Sequence, residues 1–479
     1  MNIMSYKPTI GLEVHAELKT ATKMFCDCPN NPDETRPNVN VCPICLGHPG
    51  VLPTINKKAI ELMIKIGLAL GAKINPTFKF DRKNYFYPDL PKGYQLSQYD
   101  LPIVGAGMLS GVRINRVHLE EDAGKLVHST DGKSSLVDFN RGGVPLMELV
   151  TEPDMHSSEA AIACAKELQL LLRYLGASDA DLERGLMRAD ANISISKDDS
   201  LGTKVEIKNL NSFSAIESAI HYEIKRQTEL LEAGEKIVQE TRGWDDIKHI
   251  TKSQRSKEQA HDYRYFPEPD LPPLTSSAFD LEAIRQTIPE LPAAKRERFQ
   301  KEYQVTPLQA GLLIENPQGA AYFEKTVSEL GEEERQEISS EKIKLIVNYL
   351  MTDVWGLMKE LNIPFSDLKM DPENFSDLIE MLVKKEISSR TAKDLLRRML
   401  ETGLDPRVIV REEGLSQVSG ESELALIINT IISENPSAVV DYKKGKVTVI
   451  QFLVGKGMAA LKGRGNPEIL RSLLEKALQ

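Results

Sequence analysis

The stretch from residue 116 to 125 reads Arg-Val-His-Leu-Glu-Glu-Asp-Ala-Gly-Lys and contains three consecutive carboxylates, Glu120, Glu121 and Asp122. The apolar and β-branched residues 109–115 before it predict a strand that runs into this acidic triplet. Neighbouring carboxylates raise one another's pKa unless solvent or a cation lies among them. The triplet is therefore either a solvated acidic turn or a source of oxygen ligands for a hard metal ion.

A second set of polar residues lies on the first predicted strand, residues 9–18. Apolar and polar residues alternate there, which puts Glu13, His15 and Glu17 on one face. A solvated face of an antiparallel sheet would give the same alternation. Because similar patterns recur near residues 190 and 206, the sequence predicts an α+β domain with a largely antiparallel sheet and a shared polar cleft.

The cysteines form two close pairs, Cys26-x-Cys28 and Cys42-x-x-Cys45, on either side of a loop rich in proline and asparagine. Disulfides are rare in cytosolic proteins, and two such pairs are typical of a zinc site. Four thiolates fill a tetrahedral site, so the loop 26–45 is predicted to bind a structural Zn²⁺. The alternative is a loop with four reduced thiols.

Residues 79–98 form a second unusual loop, in which cations, aromatic rings and amides alternate with residues that end regular structure. Interleaved aromatic and basic side chains can bind nucleotides. A rigid, tyrosine-rich loop inside the domain is the alternative interpretation, but the density of polar groups favours a binding site.

Length and charge set the wider organisation. The 479 residues are too many for one core, and changes in character at Pro292 and Gly403 predict domains at 1–292, 293–403 and 404–479, the last two helical.

The net charge of −10 argues against a wholly basic nucleic-acid binder, but residues 441–479 contain eight Lys or Arg against three Asp or Glu, a net of +5. No apolar run approaches the roughly 18 residues of a membrane span, and the first residues lack a signal-peptide pattern, so we expect a cytoplasmic protein without a membrane segment.

Six stretches together resemble one family, the GatB/GatE proteins of the GatCAB tRNA-dependent amidotransferases. They are Ile10-Gly-Leu-Glu-Val-His15, Lys79-Phe-Asp-Arg-Lys-Asn-Tyr-Phe-Tyr-Pro88, His118-Leu-Glu-Glu-Asp-Ala-Gly-Lys125, Arg188-Ala-Asp-Ala-Asn192, Glu206-Ile-Lys-Asn-Leu-Asn-Ser212 and Asp262-Tyr-Arg-Tyr-Phe-Pro-Glu-Pro-Asp270. The resemblance covers essentially the whole chain. It implies a cradle-shaped α+β domain, a helical domain, and a small helical tail that grips tRNA.

The activity that the resemblance implies is amide transfer on a misacylated tRNA, Glu-tRNA(Gln) or Asp-tRNA(Asn). ATP activates the side-chain carboxylate, and ammonia then displaces the phosphate. The implied partners are an amidase, which releases ammonia from glutamine, and a further small protein, so that the enzyme is a heterotrimer. The sequence contains no Gly-x-x-x-x-Gly-Lys-[Ser/Thr] loop, no kinase-type glycine loop and no recognisable amidase serine, which agrees with ammonia from a separate polypeptide.

The resemblance also implies site residues. A catalytic Mg²⁺ would be held by Glu13, His15, Glu121 and Glu152, with Asp190 and Glu120 as close companions. An ammonia route would pass Lys79, Lys83 and Tyr87, and Cys26, Cys28, Cys42 and Cys45 match a zinc motif. His with carboxylates also suits Mn²⁺ or Zn²⁺, so the residues alone leave the metal's identity open.

Two functions of different classes remain open from the sequence. One is the enzyme component that carries the activation and transfer site, and the other is a non-catalytic tRNA-binding adaptor for the amidase. A group of carboxylates and one histidine facing a cleft favours the enzyme, because an adaptor has no use for it. A stand-alone aminoacyl-tRNA ligase is disfavoured because no synthetase nucleotide signature is visible.

Overall fold

The computed structural model describes residues 6–256, 263–330, 340–415, 421–461 and 466–478. Asp262, the first residue of one family-like stretch, lies outside these ranges. The strands are β1 (Lys7–Glu17), β2 (Thr77–Phe78), β3 (Asp81–Asn84), β4 (Tyr94–Ser97), β5 (Gly107–Leu109), β6 (Val112–Glu121), β7 (Lys125–His128), β8 (Ser135–Asp138), β9 (Pro145–Thr151), β10 (Met187–Ser196), β11 (Val205–Leu210), β12 (Glu240–Asp245), β13 (Ile250–Ser256), β14 (Phe266–Pro267) and β15 (Leu274–Thr275).

The α-helices lie both between these strands and after them. They are α1 (Lys57–Ala69), α2 (Ser158–Tyr174), α3 (Phe213–Glu232), α4 (Leu281–Gln286), α5 (Pro292–Tyr303), α6 (Pro307–Ile314), α7 (Pro317–Ser328), α8 (Ser340–Asn348), α9 (Trp355–Leu361), α10 (Pro372–Val383), α11 (Ser389–Thr402), α12 (Pro406–Glu413), α13 (Glu421–Glu434), α14 (Pro436–Lys443), α15 (Val449–Ala460) and α16 (Pro467–Leu478). None of the helices in the described ranges is long and apolar enough to cross a membrane.

The chain divides into two compact units, residues 1–293 and 294–479. The first unit is built on an eight-stranded sheet with the order β13-β12-β11-β10-β1-β9-β6-β5. Every neighbouring pair in it is antiparallel except β11 and β12, which are parallel. The expected α+β class with a largely antiparallel sheet is therefore confirmed.

The alternation in β1 explains how the sheet acquires one apolar and one polar face. Ile10, Leu12 and Val14 are buried in a core that also includes residues of α1, α2 and α3. Glu13 and His15 alternate with them and are only partly buried. Since successive strand residues point to opposite faces, packing the apolar face on helices turns the polar face to the other side.

Capping residues fix where the three covering helices begin. Asn56 caps α1 and Ser157 caps α2. α3 begins at Phe213 and is capped by Ser212, whose hydroxyl accepts from the Ala215 backbone N–H. Ser212 has the extended backbone that a cap requires, whereas Ser214 already lies within the helix.

The second unit is helical in all of its described elements. Its last part has a core of its own, formed by residues such as Leu424, Leu453 and Leu470 from α13, α15 and α16. The boundary expected at residue 403 falls inside this unit, where Gly403 ends α11 in a left-handed conformation. The separation into domains 293–403 and 404–479 thus stays a prediction.

Candidate active site

Three adjacent strands, β1, β9 and β6, bring two histidines and a glutamate together. His15 lies opposite Glu148 across the β1–β9 pair, and Glu148 lies opposite His118 across the β9–β6 pair. Glu148 Oε2 is 3.3 Å from His15 Nε2 and 3.2 Å from His118 Nε2. This register makes Glu148 the centre of a polar group on the central strands.

Two further carboxylates complete the group. Glu13 Oε1 and Glu120 Oε1 are each 3.9 Å from His15 Nε2, and Glu120 Oε2 is 3.7 Å from His118 Nε2. The Ser97 hydroxyl donates to Glu120 Oε2 at 3.0 Å, which fixes that carboxylate against β4. We call Glu13, His15, His118, Glu120 and Glu148 the carboxylate–imidazole group.

The charges in this group affect one another strongly, because His118, Glu120 and Glu148 are buried and Glu13 and His15 are partly buried. Burial favours neutral His118, but the carboxylates of Glu148 and Glu120 outweigh it and raise the His118 pKa to about 9. Burial likewise opposes ionisation of Glu148, yet His118 and His15 hold its pKa well below the ordinary value. Burial and the nearby Glu148 raise the pKa of Glu13.

The donor atoms fit a divalent cation. Within the described residues, the ligand atoms of Glu13, His15 and Glu148 lie within 4.8 Å of one another, and so do those of His118, Glu120 and Glu148. Carboxylate oxygens with one imidazole suit Mg²⁺ or Mn²⁺. The buried His118 Nδ1 has no hydrogen-bond partner among the described residues, which is unusual for a structural histidine.

A cleft of about 680 Å³ opens onto this group, and its lining adds cations. Arg188 lines it while donating to both oxygens of Asp122, at 3.0 and 2.9 Å. Lys208 lines it 2.6 Å from Asp190, and burial is outweighed by Asp190 and Glu206, which raise the Lys208 pKa. A cleft with both carboxylates and fixed cations can bind a metal and an anionic substrate together.

Lys83 approaches the carboxylates from β3, between two tyrosine rings. Its ammonium lies 5.7 Å from the Tyr85 ring centre and 5.0 Å from that of Tyr263. Burial disfavours its charge, but Glu120 leads the groups that outweigh burial and raise the Lys83 pKa. Lys83 therefore remains cationic beside the carboxylate–imidazole group.

The structure brings several of the expected site residues together at this cleft, namely Glu13, His15, Lys83, Tyr87, Glu120 and Asp190. Lys79 is not part of the lining, and its ammonium instead contacts Asp81 at 2.6 Å and Asp100 at 2.7 Å. The part of the ammonia route expected at Lys79 therefore does not coincide with this cleft.

Glu121 and Glu152, which were expected to hold a metal together with Glu13 and His15, lie apart from the carboxylate–imidazole group. Glu121 points to the other side of β6, where Lys92 contacts both its oxygens and the Leu96 N–H donates to Oε1 at 2.9 Å. Glu152 follows the end of β9 and accepts from the Asn115 amide at 2.7 Å. A bulge in β6 between residues 114 and 116 shifts the alternation, so Glu120 instead of Glu121 faces the cleft.

Glu148 and His118 belong to this group but were not among the site residues predicted from the sequence. After the β6 bulge, Arg116, His118 and Glu120 share one face, and this period of two is visible in the sequence. Glu148 is the one charged residue of the strand Pro145–Thr151 and lies at its centre. A lone carboxylate inside a buried strand is the signal that could have identified it, because such groups are rarely buried without partners.

The four predicted cysteine ligands converge elsewhere in the first unit. Their sulfur atoms all lie within 4.8 Å of one another, with Cys45 Sγ 4.0 Å from Cys28 Sγ and 3.9 Å from Cys42 Sγ. A tetrahedral zinc with bonds of about 2.3 Å requires sulfur separations of about 3.8 Å. The cluster therefore fits a Zn²⁺ ion with little rearrangement.

Two family models match the chain. Residues 8–281 match the GatB/GatE catalytic domain, and residues 322–478 match the GatB domain. These matches include the whole carboxylate–imidazole group and the helical tail.

Curated relatives match over nearly their full length. A protein of Thermomicrobium roseum, named as the B subunit of aspartyl/glutamyl-tRNA(Asn/Gln) amidotransferase, is 49% identical over 488 residues, covering 99% of this chain and 99% of the relative. Proteins of the same name from Dehalococcoides mccartyi and Brevibacillus brevis are 48% and 44% identical, again with 99% of each chain covered.

Proposed function

Because the chain belongs to the GatB/GatE family and is a component of an amidotransferase, we propose that it activates the side-chain carboxylate of a misacylated tRNA with ATP and transfers ammonia to it. The substrates are Glu-tRNA(Gln), Asp-tRNA(Asn) or both, as the names of its relatives indicate. A partner amidase supplies ammonia from glutamine, and a further small protein completes the heterotrimer. This is the enzyme hypothesis, in preference to the tRNA-binding adaptor.

One observation carries the proposal: a buried carboxylate–imidazole group at a cleft that also holds Lys83, Arg188 and Lys208. An adaptor surface would have no reason to bury three carboxylates with two histidines, because burying charge is costly without a ligand or partner. The positive charges of these side chains offset the negative charges of a bound triphosphate and of the substrate carboxylate.

The chemistry explains why such a site is needed. A carboxylate is a poor electrophile because its leaving group would be oxide. Transfer of the γ-phosphoryl group makes an acyl phosphate, after which ammonia forms the C–N bond and the C–O bond to phosphate breaks. Phosphoryl transfer depends mainly on positioning and charge neutralisation, so fixed cations on rigid strands are suitable devices.

We propose that Glu13, His15, Glu120 and Glu148 hold the Mg²⁺, with Asp190 beside them. When bound, the ion neutralises phosphate oxygens during phosphoryl transfer. His118 orients Glu148 and Glu120 by contacting both. Arg188 is itself held rigid by Asp122, so its guanidinium lines the cleft in a fixed position.

We propose three further roles for parts of this chain: a zinc site, a tRNA contact and an ammonia route. A Zn²⁺ ion binds to the four converging sulfurs of Cys26, Cys28, Cys42 and Cys45. The ion is structural, because four sulfur ligands leave no open coordination position for a substrate. The basic end of the chain, residues 441–479, contacts tRNA phosphates. Lys83 and Tyr87 guide ammonia towards the acyl phosphate, since both line the cleft.

The test is to purify the chain with a candidate amidase and a candidate small partner and to assay ATP-dependent conversion of Glu-tRNA and Asp-tRNA separately. The same assay on a His15→Ala complex, with free ammonium salt as donor, isolates the activation site from glutamine hydrolysis. We expect the variant to bind charged tRNA but not to transfer the amide. Normal transfer by the variant would support the adaptor.

A further inference from the structure

Lys23 is a fully buried lysine beside the cysteine cluster of the first unit. Its side chain has no exposed surface. Its ammonium donates to the Phe139 carbonyl at 3.0 Å and to Cys45 Sγ at 3.8 Å. Across the described ranges no carboxylate lies within ion-pair distance of it. Burying an ammonium is costly unless negative charge lies beside it, so negative charge is expected on the sulfur that it contacts, Cys45 Sγ.

The cysteine cluster can supply that charge. Four thiolates around one divalent ion carry a net charge of −2, and metal binding requires the thiols to be deprotonated. Cys45 is the cluster member that Lys23 contacts, and it also accepts the Cys42 backbone N–H at 3.2 Å. The ammonium therefore lies where it would offset part of the excess thiolate charge.

The surrounding backbone fixes Lys23 in this position. The Lys23 N–H donates to the Cys28 carbonyl at 2.9 Å, and the next residue, Met24, donates to the Gly143 carbonyl at 2.7 Å. Gly143 has φ +89°, and a Cβ built on it would lie 3.5 Å from the Lys23 side chain and 3.6 Å from Cys45 Cβ. The lysine therefore lies between the cysteine loop and the segment before β9, held by backbone hydrogen bonds on both sides.

We propose that Lys23 is a positioning residue for the cysteine metal site, where its ammonium offsets the negative charge of a zinc–tetrathiolate centre and ties that centre to Phe139. The proposal rests on the zinc assignment made above. It predicts that Lys23 stabilises the metal-bound state more than the metal-free state, because the tetrathiolate centre places the larger negative charge beside the ammonium.

The test compares Lys23→Met and Lys23→Gln with wild type in the full-length reduced chain, with and without zinc. Methionine keeps most of the length but removes the charge and the donor; glutamine keeps a donor for Phe139 without the charge. We expect both to bind zinc about 10–100-fold more weakly and to release it faster to a chelator, as when other groups contacting metal ligands are removed. The thiolate charge-transfer absorption of the Co²⁺-substituted chain should shift in both variants.

The second measurement compares the stability of wild type and Lys23→Met against denaturant, with and without zinc. Lys23→Met should lower the denaturation midpoint less in the metal-free chain than in the zinc-bound chain, because metal binding deprotonates the remaining thiols and so adds negative charge beside the ammonium. Lys65→Met is the matched control, since Lys65 also donates to a backbone carbonyl, that of Leu175 at 2.9 Å, and lies in α1 away from the cysteines. Its zinc affinity should be that of wild type.

Several results would overturn the proposal while leaving zinc binding itself intact. Wild-type zinc affinity in Lys23→Met would mean that the charge does not matter. Wild-type affinity in Lys23→Gln alone would assign the effect to the Phe139 tether. Equal destabilisation of Lys23→Met with and without metal would assign Lys23 to the fold. A wild-type chain that binds no zinc would instead refute the zinc assignment.

Discussion

Glu120 and Glu121 are neighbours on β6, yet their carboxylates point to opposite sides of the strand. Glu120 contacts His15 and His118 at the cleft. Glu121 pairs with Lys92 and lines a separate cavity of about 120 Å³ next to Cys26 and Cys45. Changing each of these adjacent glutamates to glutamine should therefore have a different effect.

Glu120→Gln should weaken Mg²⁺ binding at the cleft. Removing one negative ligand should raise the Mg²⁺ concentration for half-maximal ATP-dependent transfer by about 10–100-fold, the range expected when a metal site loses a supporting group. The measurement is a Mg²⁺ titration of amide transfer by the assembled complex with ammonium salt as donor. An unchanged midpoint would exclude Glu120 as a ligand.

Glu121→Gln should act on stability instead. It leaves the mostly buried Lys92 ammonium without its counter-charge, which costs about 3 kcal/mol of unfolding free energy. Denaturant unfolding of the first unit should show the loss, and the Mg²⁺ midpoint should not move. A shifted midpoint with normal stability would return Glu121 to the set of metal ligands.

Glu148 should be indispensable because both histidines contact it. Glu148→Gln removes the charge that they share, and we expect amide transfer to fall by roughly 10³-fold, equivalent to about 4 kcal/mol in the barrier. Glutaminase activity should persist, because glutamine hydrolysis belongs to the partner amidase. Both rates are to be measured on the same assembled complex.

Glu152→Gln is the matched control for this prediction. Its carboxylate contacts the Asn115 amide away from the carboxylate–imidazole group, so transfer should stay close to the wild-type rate. A large loss in Glu152→Gln, with Glu148→Gln unaffected, would restore the ligand set expected from the sequence.

The sequence alone could group site residues that lie close together in the chain or on one strand. It could not group residues that come together only through the pairing of distant strands. Cys26, Cys28, Cys42 and Cys45 could be grouped because only a short loop separates the two pairs. Alternation in β1 likewise predicted that Glu13 shares a face with His15.

Register between distant strands could not be read in the same way. The choice between Glu120 and Glu121 depends on a single bulge in β6, and one residue of shift reverses every side chain after it. Glu148 becomes part of the site only through its pairing with His15 on β1 and His118 on β6. Nothing in the local sequence of β9 specifies which strands flank it.

Loss of zinc should loosen the cysteine loop without abolishing the fold of the sheet. We expect one Zn²⁺ per wild-type chain and clearly less in Cys42→Ser, because a tetrahedral site needs all four sulfurs. Elemental analysis after gentle purification measures the zinc, and limited proteolysis between residues 29 and 41 reports the loop. Cys164→Ser is the control, since Cys164 lies in the α2 core and should leave zinc unchanged. A wild-type chain without zinc would contradict this prediction.

The last prediction concerns the basic end of the chain. Buried residues of α13, α14, α15 and α16 form a hydrophobic core of their own, so deleting residues 414–479 should leave the first unit folded. The deletion should weaken binding of charged tRNA and raise its apparent KM, because phosphate contacts from lysines are lost. It should also reduce the salt dependence of binding, since fewer counterions are released.

A gentler variant separates charge from the loss of a whole domain. Lys443, Lys444 and Lys446 are exposed at the end of α14 and just after it. Replacing all three by glutamine should lower the slope of log K against log salt by up to about three if each contacts a phosphate. Glutamine hydrolysis without tRNA serves as the control and should not change. An identical slope and affinity for the triple variant would mean that these lysines face solvent in the complex. Wild-type affinity of the deletion at physiological salt would mean that the tail does not hold tRNA at all.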